Sequence, residues 1–127
     1  MWIFSILFAC GSKVQQGDYK LSPNNFEKKV HSYKNAQLVD VRTPDEYRDG
    51  YIDGAININY QGNNFSNEIE KLDKNKPTFI YCHSGGRSAE SYIIMKNMGF
   101  KELYELEGGI SNWQKEKKPV IRINLIK

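Results

Sequence analysis

Apolar and polar positions alternate along this chain in short blocks. Phe26, Val30 and Tyr33 recur at the spacing of one helix face, which predicts a helix over 24–32. Ser22 and Pro23 stand just before it. Serine is a favoured N-cap, and proline is tolerated at the first helical position. Gln37-Leu38-Val39-Asp40-Val41-Arg42 is a short apolar run with β-branched residues, which suits a buried strand. Thr43-Pro44-Asp45-Glu46-Tyr47 predicts a short helix with Thr43 as its cap. Gly50 and Gly54 then break the chain on either side of Tyr51-Ile52-Asp53. Ala55 to Ile58 alternates as a strand does, and Ser66 to Leu72 predicts a helix with Ile69 and Leu72 turned inward. Thr78-Phe79-Ile80-Tyr81-Cys82 is the most strand-like run in the chain.

A turn, His83-Ser84-Gly85-Gly86, leads from that run into a helix over 87–98. There Ala89, Tyr92, Ile93, Met95 and Met98 are expected to face a core, and Gly99 to cap the C-terminus. Glu102 to Leu106 is a further strand, and Gly108-Gly109 opens a last helix through Trp113. In the tail, Val120-Ile121-Arg122-Ile123 suits an edge strand. Strands alternating with helices of 6–12 residues point to an α/β fold with a mainly parallel sheet. Such sheets place their chemistry beyond the C-terminal ends of the strands.

Composition narrows the class. The chain has 127 residues, enough for one domain with a short appendage. Hydrophobic residues at 39% and charged residues at 26% exclude a disordered chain. Two cysteines, Cys10 and Cys82, cannot build a disulfide framework. With only two histidines, His31 and His83, they also cannot supply a structural zinc site, so no metal is expected. A net charge of +3 is too small and too scattered to argue for a nucleic-acid partner.

Candidate chemistry centres on Tyr81-Cys82-His83-Ser84-Gly85-Gly86-Arg87-Ser88. An ordinary thiol with a pKa of ~8.5 is only ~3% ionised at pH 7. A helix N-terminus and a nearby cation both favour the anion. Two glycines let a loop curl its N–H groups around a point, and Arg87 adds a charge with a fork of donors. The run therefore reads as an anion cradle with a nucleophile, Cys82, in its floor. His83 reads as a rim residue rather than a catalytic base, because adjacent residues on a curled loop point apart.

At these residues the sequence resembles the rhodanese family. Cys82-x-x-Gly85-x-Arg87-Ser88 is similar to the active-site loop of single-domain rhodaneses. Leu38-Val39-Asp40-Val41-Arg42 resembles the strand before the family's first acidic helix. Glu46-Tyr47 with Gly50-Tyr51-Ile52-Asp53-Gly54-Ala55, and Leu106-Glu107-Gly108-Gly109-Ile110-x-x-Trp113, resemble two further family elements in family order. Tyr51 stands where the family usually has His.

The resemblance implies a rhodanese-like domain over 19–127, its central sheet flanked by helices on both faces. It implies a sulfurtransferase without a cofactor. Cys82 would take a sulfane sulfur from a donor such as thiosulfate as a persulfide, and a thiol, cyanide or protein acceptor would remove it. His83, Ser84, Gly85, Gly86, Arg87 and Ser88 would form the anion loop, and Asp40, Arg42 and Glu46 would support it. Asp40 and Arg42 read equally as an ordinary strand-end ion pair. A non-catalytic or persulfide-carrier module is the alternative. Phosphatases and arsenate reductases of the same fold stand further off: they place five residues between Cys and Arg, and this chain has four.

The first ten residues differ from the rest, with no charged side chain. They are too few to span a bilayer as a helix, which needs ~20 residues. Leu7-Phe8-Ala9-Cys10-Gly11 resembles the lipobox of bacterial lipoproteins. That resemblance implies a signal segment over 1–9, a lipid on Cys10, a tether over 10–18, and anchoring to a bacterial membrane in the cell envelope or periplasm; a single domain of this size is by default expected to be a monomer. Without such a signal the expected location is cytoplasmic.

Overall fold

Two proline-led helix starts and a run of short parallel strands organise the chain. The computed structural model describes residues 19–123, so the expectations for 1–9, 10–18 and Cys10 lie outside the described residues. The elements in order are β1 (Lys20–Leu21), α1 (Pro23–Ser32), β2 (Gln37–Asp40), α2 (Pro44–Arg48), β3 (Ile56–Asn57), α3 (Phe65–Glu70), β4 (Thr78–Tyr81), α4 (Gly86–Asn97), β5 (Leu103–Leu106) and α5 (Gly109–Lys115). The sheet runs β1-β5-β4-β2-β3, and every pair in it is parallel. Among the described residues no helix is long and apolar enough to cross a membrane.

Local chemistry explains the helix starts. The Ser22 side chain accepts from the Asn25 N–H at 3.3 Å, with Pro23 in the first turn of α1. Thr43 and Glu46 form a reciprocal capping box at the head of α2, which satisfies two donors that the helix itself leaves free.

The sheet is buried on both faces, and side chains alternate between them. On one face Val39, Val41, Ile80, Cys82 and Leu103 pack with Phe65 and Ile69 of α3 and Met95 of α4. On the other, Leu38, Phe79, Tyr81 and Leu106 pack with Phe26 of α1 and with Ile110 and Trp113 of α5. Cys82 continues the alternation of β4 by one residue, which turns its thiol toward the α4 side.

Three expectations change. Ile93 is 63% exposed, and the inner face of α4 instead buries Ser88, Ser91 and Met95. Small hydroxyl side chains let the helix sit close to the sheet, a packing role that a search for apolar periodicity passes over. The tail makes one antiparallel bridge rather than an edge strand, pairing Ile121 with Tyr51 through N–H···O bonds of 2.8 and 2.9 Å. Its partner stretch is extended only briefly before the turn at Asp53-Gly54, so the ladder cannot propagate. Strand β1 is an addition to the expected elements: it has two residues and stops at a proline-led helix, too short to show a period. The Gly85-Gly86 pair also divides its work. Gly85 holds φ at +120°, whereas Gly86 is already the first residue of α4.

Candidate active site

The parallel sheet delivers Cys82 to the C-terminal end of β4, directly under the first turn of α4. The residue is 1% exposed. The Gly85 N–H donates to Sγ at 3.0 Å, and the thiol donates to the Ser88 hydroxyl at 3.4 Å. The left-handed backbone at Gly85 is what folds that N–H back onto the sulfur. Gly86, Arg87 and Ser88 occupy the first turn of α4, where backbone N–H groups have no intrahelical partner. The sulfur therefore sits where backbone donors and the positive end of a helix converge.

The loop is clamped from outside by α5. The Ile110 and Ser111 N–H groups donate to the carbonyls of Cys82 and His83 at 2.9 and 3.0 Å. Gly109 lies so close that a Cβ there would fall 2.5 Å from the His83 oxygen and 2.6 Å from the Cys82 oxygen. The orphan donors of one helix start thus satisfy the loop's buried carbonyls.

Arg87 does not aim its fork at the sulfur. Its two terminal nitrogens donate to the Glu46 carboxylate at 2.7 and 2.8 Å, a bidentate pair. Those bonds are the largest cause holding the Glu46 carboxyl at about 2, with the Thr43 bonds assisting. Glu46 therefore caps α2 and ties α2 to the first turn of α4.

Asp40 and Arg42 form a separate buried pair. The Arg42 Nε donates to the two Asp40 oxygens at 3.0 and 3.1 Å, and an Nη reaches Oδ2 at 2.6 Å. A further bond runs to the Gly50 carbonyl. Among the described residues no hydrogen bond joins this pair to Glu46, because Asp40 already fills the fork of Arg42 and Arg87 fills Glu46. Asn57 donates to the Asp40 and Arg42 carbonyls, bracing the end of β2. The Tyr81 hydroxyl accepts from the Ile52 N–H at 3.0 Å.

His83 and Ser84 are exposed at the rim. Among the described residues no hydrogen bond joins the His83 ring to Cys82. His83 lines an open cavity of about 340 Å³ together with Arg42, Glu46, Asp49, Gln114 and Arg122. Tyr51, the departure noted above, stacks on Tyr47 at 4.3 Å, and the Tyr47 hydroxyl donates to the Ala55 carbonyl.

Two residues near the thiol escape a reading of the sequence. Gly109 touches the loop only through the fold. Glu105 is 1% exposed on β5, and its Oε1 accepts from the Ser88 hydroxyl at 2.7 Å. Its signal was present in Leu103-Tyr104-Glu105-Leu106, where a carboxyl shares the inward face with Leu103.

Comparison with known proteins places this geometry. Residues 22–116 match the family description "Rhodanese-like domain". The thiosulfate sulfurtransferase GlpE of Shewanella oneidensis is 34% identical over 80 residues, covering 63% of this chain and 77% of that protein. A probable adenylyltransferase/sulfurtransferase MoeZ of Mycobacterium tuberculosis is 33% identical over 99 residues. That match takes in 78% of this chain but spans only 25% of the length of the relative. The crystal structure of a rhodanese-like domain protein from Staphylococcus aureus superposes with a TM-score of 0.71 at 26% identity, covering 84% of this chain and 99% of that one. With its parallel five-stranded sheet, its cysteine at the end of β4 and a match across three quarters of its length, the chain belongs to the rhodanese-like domain family.

Proposed function

We propose that this protein is a sulfurtransferase that carries a sulfane sulfur on Cys82. The observation that carries the reading is the position of Sγ. It lies at the floor of a loop with four residues between Cys82 and Arg87, held by the Gly85 N–H at 3.0 Å. In the first half-reaction the Cys82 thiolate attacks the outer sulfur of thiosulfate. The S–S bond of the donor breaks, sulfite departs with the electron pair, and Cys82 becomes a persulfide anion. In the second, cyanide or a thiol attacks the terminal sulfur and regenerates the thiolate. The converging backbone donors favour the negative sulfur in both steps. A small anionic donor would approach the loop at the cavity beside His83, whose charged lining is Arg42, Arg122, Glu46 and Asp49.

Incubation with thiosulfate and then cyanide tests the reading, with thiocyanate followed by absorbance and Cys82 by mass spectrometry. One added sulfur on the Cys82 peptide and thiocyanate turnover are expected, both lost in Cys82→Ser. Persulfide formation with turnover only to a protein thiol would favour the carrier alternative. No persulfide from any sulfane donor would refute both. We also propose a lipid anchor at Cys10, supported by the uncharged run before it. Cys10→Ala is expected to move the protein from the detergent phase to the aqueous phase.

A further inference from the structure

One buried ionisable group remains without a task in this reading. Glu105 lies in the core face of the sheet at 1% exposure, and its Oε2 is a buried oxygen with no hydrogen-bond partner. A carboxylate with an orphan oxygen in such a place is costly, whereas a carboxylic acid there needs fewer partners. Its one side-chain bond leads to the Ser88 hydroxyl, and the same hydroxyl accepts the Cys82 thiol. Cys82, Ser88 and Glu105 therefore form a continuous chain of exchangeable protons, closed off from solvent by α4.

We infer that Glu105 is a positioning residue for Cys82, taking up the thiol proton through Ser88 and holding it while the sulfur is anionic. The step balances without any other reactant. The Sγ proton passes to the Ser88 oxygen as the Ser88 hydroxyl proton passes to Glu105 Oε1. The hydroxyl is regenerated, and one negative charge moves from the carboxylate to the sulfur. The chain then runs the other way: Glu105 donates to Ser88, and Ser88 donates to the thiolate. At the sulfur end the charge meets the Gly85 N–H and the head of α4, with Arg87 nearby on the same helix. At the carboxyl end it meets one hydroxyl. The better-solvated end of the relay is the nucleophile.

Other groups face Glu105 from each packed element. Lys20 comes from β1 and favours its charged form; Tyr92 comes from α4, stacked on Tyr19. Burial is the largest influence on Glu105 and pushes its carboxyl up, in the direction the relay needs. Because the relay hands the thiol proton to Glu105, losing the carboxyl or the Ser88 hydroxyl leaves that proton on the sulfur.

The inference rests on Cys82 acting as a nucleophile, and alkylation reads that thiol without any sulfur donor, so its result stands apart from that of the thiosulfate assay. The experiment follows iodoacetamide labelling of the Cys82 peptide by mass spectrometry from pH 5 to 10, in the full chain. Wild type is expected to label faster at pH 7 than a protein with a broken relay, the difference closing toward pH 10 as hydroxide takes the thiol proton directly. Glu105→Gln cannot take up a proton, and is expected to label more slowly at pH 7 by about tenfold. Ser88→Ala leaves Glu105 in place but breaks the chain, and is expected to show the same loss. It keeps the inference testable if Glu105→Gln does not fold. Profiles that superpose for wild type and either folded variant would overturn the relay. A loss of equal size at every pH would do the same.

Discussion

Replacing Gly109 with alanine perturbs the Cys82 loop without touching any chemical group in it. The new Cβ would fall at 2.5 Å from the His83 oxygen and 2.6 Å from both the Cys82 oxygen and the His83 carbonyl carbon. All three are backbone atoms, so no side chain can rotate away. Gly109 also sits at φ +63°, where a side chain costs about 1–2 kcal/mol. Relieving the overlap by moving α5 away adds about 1–3 kcal/mol of the kind seen in overpacked cores. That movement stretches the bonds from Ile110 and Ser111 to the loop, each contributing about 1 kcal/mol. The sum is about 4–7 kcal/mol, a large part of the ~5–15 kcal/mol that stabilises a domain.

At a urea dependence of ~2 kcal/mol per molar, the unfolding midpoint should fall by about 2–3.5 M. Labelling of Cys82 in the surviving folded protein should change as well, because the loop shifts. Gly86→Ala is the control. Nothing lies within 4 Å of its Cβ and its φ is ordinary, so it should leave stability unchanged or raise it by about 0.5 kcal/mol. A Gly109→Ala midpoint within 0.3 M of wild type would refute the clamp.

Three further predictions concern the supports of the site. Asp40→Ala leaves Arg42, 6% exposed at its side chain, as a buried cation without its carboxylate, and should cost about 3–5 kcal/mol by urea unfolding. Asp40→Asn, which keeps an acceptor oxygen, should cost less. Tyr81→Phe strips the Ile52 N–H of its acceptor in a buried setting and should cost about 1–3 kcal/mol in the same measurement, with the Cys82 loop unaltered. The Glu46 carboxyl titrates at about 2 in the fold against an ordinary 4.5, so the unfolded chain binds its proton first as pH falls. Its contribution is complete above 4.5 and lost between 4.5 and 2. Glu46→Gln should make the decline in stability over that window shallower, and an unchanged slope would show that the Arg87 pair does not contribute.

Much of the frame is legible in the linear chain because it is written in local chemistry. The Ser22-Pro23 and Thr43-Pro44 starts are visible as caps, and the β4 run is visible as an unbroken apolar stretch before a glycine turn. Four ordered motifs place a nucleophilic cysteine after that strand. What local chemistry does not contain is the pairing of partners distant in sequence. Arg87 looks like a cation for the loop until the fold brings Glu46, 41 residues earlier, against it. Ser88 and Ser91 look like surface hydroxyls until α4 lies on the sheet. The tail looks like a strand until its partner proves to be extended at one residue.

The sequence by itself determined the alternation of elements, the parallel sheet it requires, and the residue type and loop length that put a thiol beside a helix start. These depend on propensity, periodicity and spacing, which act over a few residues. Only the tertiary structure decided which carboxylate neutralises which arginine, that Gly109 presses on the Cys82 and His83 carbonyls, and that Glu105 reaches the thiol through Ser88. Each of these depends on strands and helices far apart in the chain meeting at one end of the sheet, and distance in space is not encoded in any local pattern.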